Sequence, residues 1–266
     1  MTTPLLNVMS AAAIKAGKGL LRDFGEVDQL QVSRKGTANF VTQSDIRTEK
    51  LLHQELKKAR PDYGFLMEEG GEIAGKDAQH RWIIDPLDGT TNFIHAIPYF
   101  CISIGLEKRD AYGNSAIIAG VIFDPIHNEL FSAEKGHGAL LNGRRLAVST
   151  RDSLMEAMVV TGSLRSTKGD AETFALFDAV MKSGAITRDF GASALDLANI
   201  AAGRIDACRM HTIQPWDIAA GMLLIQEAGG IITEPDGAPA TIYSRQLLAS
   251  NRHLHAPMQK LLARLI

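Results

Sequence analysis

Apolar residues fall at helical spacing in some stretches and in short extended runs in others, and the changeovers outline the elements. A first helix is predicted over residues 4–21, stopping near Gly25. The polar stretch 33–39 follows, then Phe40-Val41-Thr42 as an extended piece. A second helix is predicted to begin at Ser44 or Asp45, both suited to capping. Leu52, Leu56 and Ala59 form its apolar stripe, and Pro61 ends it. Strands are predicted over 64–67, 82–84, 100–106, 117–123 and 129–133. Asn142-Gly143 between extended arms signals a hairpin turn.

After about Ala147 strands and helices alternate. Strands are predicted over 158–161, 205–208 and 231–233, and helices over 171–181, 193–202 and 217–228. Ser193 with Asp196 three residues on reads as a capping box opening the middle helix. The last helix is apolar on nearly every side, as a buried helix is, and Gly229-Gly230 ends it. The pattern predicts an α/β (α+β) fold in two halves, 1–147 and 148–266. With no flexible linker at the boundary, the halves are expected to share one site rather than form independent domains.

Composition narrows the function. The 266 residues are 45% hydrophobic and 22% charged with a formal net charge of −2, the profile of a globular protein. That balance lacks the basic surplus of a dedicated nucleic-acid binder. No apolar run is long enough to span a bilayer. The N-terminal apolar stretch lacks a preceding basic region, so a soluble cytoplasmic protein is expected. Cys101 and Cys208 read as two buried thiols.

The chemistry concentrates in Trp82-Ile83-Ile84-Asp85-Pro86-Leu87-Asp88-Gly89-Thr90-Thr91-Asn92. A buried strand ends in two carboxylates, Asp85 and Asp88, with Pro86 setting a turn between them. Gly89 permits close backbone approach, and Thr90-Thr91 open a short helix whose N–H groups suit an anion. Carboxylates beside an anion-binding turn fit a divalent cation bridging them to phosphate; a polar turn after a core strand is the other reading. Glu68-Glu69 end a second strand, and Asp217 stands at the entrance of the buried helix, where it also suits simple capping.

Together these segments resemble the inositol monophosphatase family, within the superfamily that includes fructose-1,6-bisphosphatase. Residues 82–92 are similar to its metal-binding segment, and Trp216-Asp217 through Glu227-Ala228-Gly229-Gly230 to its second signature. Leu66-Met67-Glu68-Glu69, Phe40-Val41-Thr42 with Asp45, and the 191–196 segment are similar to the remaining family segments. The resemblance covers essentially the whole chain. It implies a layered αβαβα sandwich, a homodimer, and hydrolysis of small phosphate monoesters, inositol 1-phosphate above all, using two or three Mg²⁺.

The resemblance also implies roles. Glu68, Asp85 and the Leu87 carbonyl would hold one Mg²⁺, and Asp85, Asp88 and Asp217 a second. Gly89 and Thr90 would offer N–H groups to the phosphate. Glu68 and Thr90 would orient the attacking water. Asp88, Asp217 and the Gly191-Ala192-Ser193 segment would contact substrate, and Lys35 and Asp45 would flank a weaker metal position. Lithium would inhibit at the second metal position. None of the eight histidines falls in a nucleophile motif, and His95 is expected at the mouth or surface. Asp85 and Asp88 are three apart with Pro86 between, which does not fit the Asp-x-Asp of haloacid dehalogenase-type phosphatases. A regulatory binding protein on the same fold is the alternative of another class. The chain departs from the family seven residues before Asp217, where Met210 replaces the usual glutamate. That change predicts looser recognition of the inositol ring and a wider range of sugar and polyol phosphates, fructose 1,6-bisphosphate included; Arg209 or His211 could instead supply the missing contact.

Overall fold

A computed structural model describes residues 3–26, 32–36, 39–162 and 170–263. Helix α1 (Pro4–Phe24) ends at a C-cap on Gly25, where its stop was predicted. Strands β1 (Val32–Gly36) and β2 (Asn39–Thr42) pair antiparallel. Helix α2 (Gln43–Ala59) begins before Ser44, because the Thr42 side chain accepts from the Ser44 and Asp45 amides. Asp45 accepts in return from the Thr42 amide at 2.8 Å, completing a capping box whose N-cap is Thr42, two residues before the predicted cap at Ser44.

Next come β3 (Tyr63–Met67), β4 (Gly71–Ile73), β5 (Asp77–Asp88), α3 (Thr90–Ile94), β6 (Cys101–Arg109), β7 (Ser115–Asp124), β8 (Glu129–Glu134), β9 (Gly138–Leu141) and β10 (Arg144–Arg145). The strands form one sheet in the order β10-β9-β8-β7-β6-β5-β3-β4, antiparallel except for β3 with β5. Asn142 (φ 49°) and Gly143 (φ 79°) close β9 onto β10, the turn that Asn-Gly signalled. The predicted turn at Pro86 is corrected: β5 continues to Asp88, and a register shift against β6 between Asp85 and Asp88 absorbs the proline. A bulge tolerates a residue that cannot donate to the ladder.

The second half contributes β11 (Met158–Val160), α4 (Asp170–Lys182), β12 (Ile186–Arg188), α5 (Ser193–Ala201), β13 (Ala207–His211), α6 (Pro215–Glu227), β14 (Ile231–Thr233), β15 (Gln246–Ser250) and α7 (His255–Leu262). Its five strands run β12-β11-β13-β15-β14, with parallel pairing of β11 to β12 and β13. The sequence pattern anticipated neither β15 nor α7.

Three apolar cores order the layers. Leu6, Met9, Leu20, Leu52 and Leu56 of α1 and α2 pack with Phe65, Trp82 and Ile104 of the large sheet. Leu195, Leu197 and Leu224 of α5 and α6 pack between Ile83 and Ile122 of that sheet and Cys208 and Leu247 of the small one. Leu176 and Val180 of α4 and Met258 of α7 cover the far side, over Val159 and Leu248. The result is the expected αβαβα sandwich. Residues 218–225 of α6 are all buried, so this helix touches a neighbour on every side. It comes very close to the large sheet: a Cβ on Gly105 would lie 2.9 Å from Ala219 Cβ, and one on Gly120 3.0 Å from Ala220 Cα. Both cysteines are buried free thiols. No helix among the described residues is long and apolar enough to cross a membrane.

Candidate active site

The ends of β3 and β5 lie side by side, because Met67 pairs with Ile84 in the parallel register. Glu68 follows β3 and donates its amide to the Ile84 carbonyl at 3.2 Å. Asp85 and Asp88 occupy the bulged end of β5, and both are buried. From the second half, α6 brings in Asp217, whose carboxylate accepts from the Gln214 amide at 2.7 Å. Asp217 therefore stands inside the first turn of α6 as the returning half of a capping box; the N-cap is Gln214.

Gly89 adopts the left-handed conformation at φ 92° and leads into α3. A Cβ there would sit 3.0 Å from the Tyr99 carbonyl oxygen and 3.1 Å from Ala192 Cβ, so only glycine fits. The start of α3 carries no side-chain cap, which leaves it suited to an anion. The Thr90 hydroxyl donates to the Leu87 carbonyl at 3.0 Å, with Asp45 Oδ1 3.3 Å away.

The substrate-loop segment reaches the same place by a route the sequence did not predict. Ser193 and Asp196 do not form a capping box: the N-cap of α5 is Ala192, with no side-chain cap bond. Asp88 caps the helix instead, accepting from the amides of Ser193 at 3.1 Å, Ala194 at 2.7 Å and Leu195 at 3.4 Å. Asp196 accepts from the Tyr99 hydroxyl at 2.7 Å. Asn92 donates to the carbonyls of Tyr99 and Phe190 at 2.8 and 2.7 Å, and a Cβ on Gly191 would lie 3.3 Å from its amide. Asn92 thus ties the segment before α5 to the turn after β5.

The electrostatics are those of carboxylates crowded together away from solvent. Burial, then Glu68, Asp88 and Asp217, push Asp85 well above the carboxylate range. Burial pushes Asp88 up to about 6 despite its three backbone bonds, and burial with the Asp88 charge pushes Asp217 up to about 7. Asp45 is raised to about 6, chiefly by burial. Carboxylates that raise one another by repulsion are relieved by a hard cation with oxygen ligands, so the donor set fits Mg²⁺. Among the described residues no three acidic, histidine or cysteine side chains are set at metal-ligand spacing; backbone N–H groups hold Asp85, Asp88 and Asp217.

The structure therefore brings together Glu68, Asp85, Leu87, Asp88, Gly89, Thr90, Ala192, Ser193 and Asp217, with Gly191 and Asp45 adjoining. The Lys35 side chain lies outside the described residues. His95 is exposed at the end of α3. Met210 is buried in β13 within the core that holds α5 and α6. Arg209 instead donates to Gln246 at 2.9 Å, and the His211 ring meets Thr212 Oγ1 at 3.3 Å. Thr212 has φ 59°, a costly conformation for a β-branched residue, just ahead of α6. Sequence reasoning missed Tyr99 and gave Asn92 and Asp196 no such role, because the Asn92–Phe190 and Tyr99–Asp196 bonds span about a hundred residues and leave no local pattern.

A model of the inositol monophosphatase family matches residues 1–266. The chain is 46% identical over 261 residues to the inositol-1-monophosphatase of Rhizobium meliloti, covering 98% of this chain and 96% of the relative. It is 38% identical over 249 residues to the Nus factor SuhB of Escherichia coli K12, covering 93% and 91%. The crystal structure of the extragenic suppressor protein suhB from Bartonella henselae superposes with a TM-score of 0.95 at 46% identity, over 99% of this chain and 100% of that one.

Proposed function

The chain belongs to the inositol monophosphatase family, and from that premise we propose that it hydrolyses small phosphate monoesters with Mg²⁺, inositol 1-phosphate among them. One observation carries the reading: the buried Asp85 and Asp88 of the first half and the half-buried Asp217 of the second converge beside Glu68 and an uncapped helix start, with the Asp88 charge raising the other two. Glu68, Asp85 and the Leu87 carbonyl would hold one Mg²⁺, and Asp85, Asp88 and Asp217 another. Asp45 and Lys35 would flank a third, weaker position. When bound, such ions neutralise the charge of the ester and acidify water.

The chain's own groups position the reactants. The Gly89 and Thr90 amides face the phosphate. Glu68 and the Thr90 hydroxyl align water opposite the ester oxygen. That water's oxygen joins phosphorus as the ester P–O bond breaks, the water gives up a proton to solvent, and the leaving alkoxide takes one up from solvent, so that alcohol and phosphate are released. Alignment and charge are most of what phosphoryl transfer requires of a protein. Ala192 and Ser193 border the space for the alcohol. The reading extends to a soluble cytoplasmic homodimer.

Phosphate release from inositol 1-phosphate with and without Mg²⁺ is the direct test. Asp88→Asn should lower turnover at saturating Mg²⁺ by at least about 100-fold, the lower end for a positioned catalytic group. Undiminished turnover in that variant would sink the metal assignment. With Asp85, Asp88 and Asp217 all present, lithium should inhibit uncompetitively with substrate; full activity in high-millimolar LiCl would refute this. Identity to a Nus factor favours a second reading, a regulatory binding role alongside turnover. Asp88→Asn separates the two, since a binding role would outlast the loss of hydrolysis.

A further inference from the structure

We propose that Glu49 of α2 is a positioning residue for Glu68, an inference that rests on the reading of Glu68 as a metal ligand. Glu68 lies in a poor place for precision. It begins the tip between β3 and β4, where Met67 pairs with Gly71 and residues 68–70 form the turn. β4 is the edge of the eight-stranded sheet, and all three of its residues are exposed. An edge hairpin with one solvated strand opens easily unless its tip is tied down.

Two bonds tie it. The Glu68 amide donates to the Ile84 carbonyl of β5 at 3.2 Å, fixing the first residue to the strand that carries Asp85. The Glu69 amide donates to Glu49 Oε2 at 2.8 Å. Glu49 is 6% exposed, and a charge-assisted bond of this kind is stronger than a neutral one. The fit extends one residue further. A Cβ on Gly70 would meet Glu49 Oε1 at 3.0 Å and Met67 Cε at 2.9 Å, so the turn folds directly over the carboxylate.

Glu49 also follows Asp45 by one helical turn, on the same face of α2. Asp45 lies 3.3 Å from the Thr90 hydroxyl and Glu49 holds the turn bearing Glu68, so one helix face sets both flanks of the acidic cluster. A ligand on a flexible tip loses affinity when its ordering must be supplied at binding; Glu49 supplies that order in advance.

The test measures Mg²⁺ binding to the whole protein by calorimetry, with kcat read at saturating Mg²⁺. Glu49→Ala, and Glu49→Asp, which is one methylene too short, should raise the Mg²⁺ Kd at least about 10-fold, the lower end for a residue supporting a metal ligand. Turnover at saturating Mg²⁺ should largely return. Glu49→Gln keeps an acceptor for the Glu69 amide and should bind Mg²⁺ close to wild type. An unchanged Kd in the Ala and Asp variants, alongside a weakened Glu68→Gln, would overturn the positioning role alone. Equal losses in the Gln and Ala variants would assign the effect to charge and overturn it too. An unchanged Kd in Glu68→Gln would remove the underlying reading, and this inference with it. Should Glu49→Ala fail to fold, Glu49→Asp decides.

Discussion

Met210 lies in the core beside α5 and α6, while Arg209 donates to Gln246 and the His211 ring meets Thr212 Oγ1. A thioether accepts only weak hydrogen bonds, and a site that merely tolerates a hydroxyl discriminates far less than one built to bond it. Wild-type kcat/KM should therefore favour inositol 1-phosphate over glycerol 2-phosphate and fructose 1,6-bisphosphate by less than about 1,000-fold, below the scale of hydroxyl recognition. Met210→Glu should widen the gap. A larger wild-type preference would show that another group recognises the ring. At this scale the acidic residues were legible, since Asp85, Asp88 and Asp217 stand where a strand ends or a helix begins. Glu49 and Asn92 were not, because each serves a backbone group distant along the chain.

Helix α5 shows how a local pattern can mislead. Ser193 and Asp196 have the spacing of a capping box, yet Asp88 takes the amides of residues 193–195. A carboxylate that accepts from three amides and is fixed by a bulged strand outcompetes a hydroxyl that must fold back on its own helix. Ser193→Ala should therefore change stability by no more than about 0.5 kcal/mol, as at an ordinary position. Asp88→Ala should speed amide exchange at residues 193–195, leaving the rest of α5 protected. A loss of about 1 kcal/mol in Ser193→Ala, the usual worth of an N-cap, would restore the local box. The opposite holds at α2, where Thr42 and Asp45 do form the box and the error was one of position. The turn expected at Pro86 failed for a related reason: a bulge hides a proline inside a strand, and spacing alone does not reveal it.

For the whole molecule, the acidic cluster makes stability depend on pH and on cation together. Asp45 and Asp88 titrate near 6 and Asp217 near 7 in the folded protein, against an ordinary value of 3.8. A raised folded pKa favours the protonated fold. That stabilisation is complete below about pH 4 and is lost as pH rises through about 6 to 7. The metal-free protein should melt at a lower temperature at pH 8 than at pH 5.5. Magnesium should restore the difference, raising Tm more at pH 8 than at pH 5.5. Equal Mg²⁺-induced shifts at the two pH values would contradict this. The strand-rich first half, the alternating second half and the burial of α6 were legible in the pattern, whereas the αβαβα layer order came only from the family resemblance. The placement of β15 and α7 was not legible, since both are short and derive their stability from tertiary packing.

The position of α6 between the two sheets has a consequence for synthesis. The large sheet is fully specified once Arg145 has been made, but the helix that covers its inner face ends at Glu227. At about 5–20 residues per second, the ribosome needs roughly 4–16 s to add the intervening stretch. Throughout that interval the close-contact surface at Gly105 and Gly120, which α6 approaches through Ala219 and Ala220, has no permanent cover. The nascent chain must be shielded then, by a chaperone or by staying uncollapsed, and slow codons between β10 and α6 would lengthen its exposure.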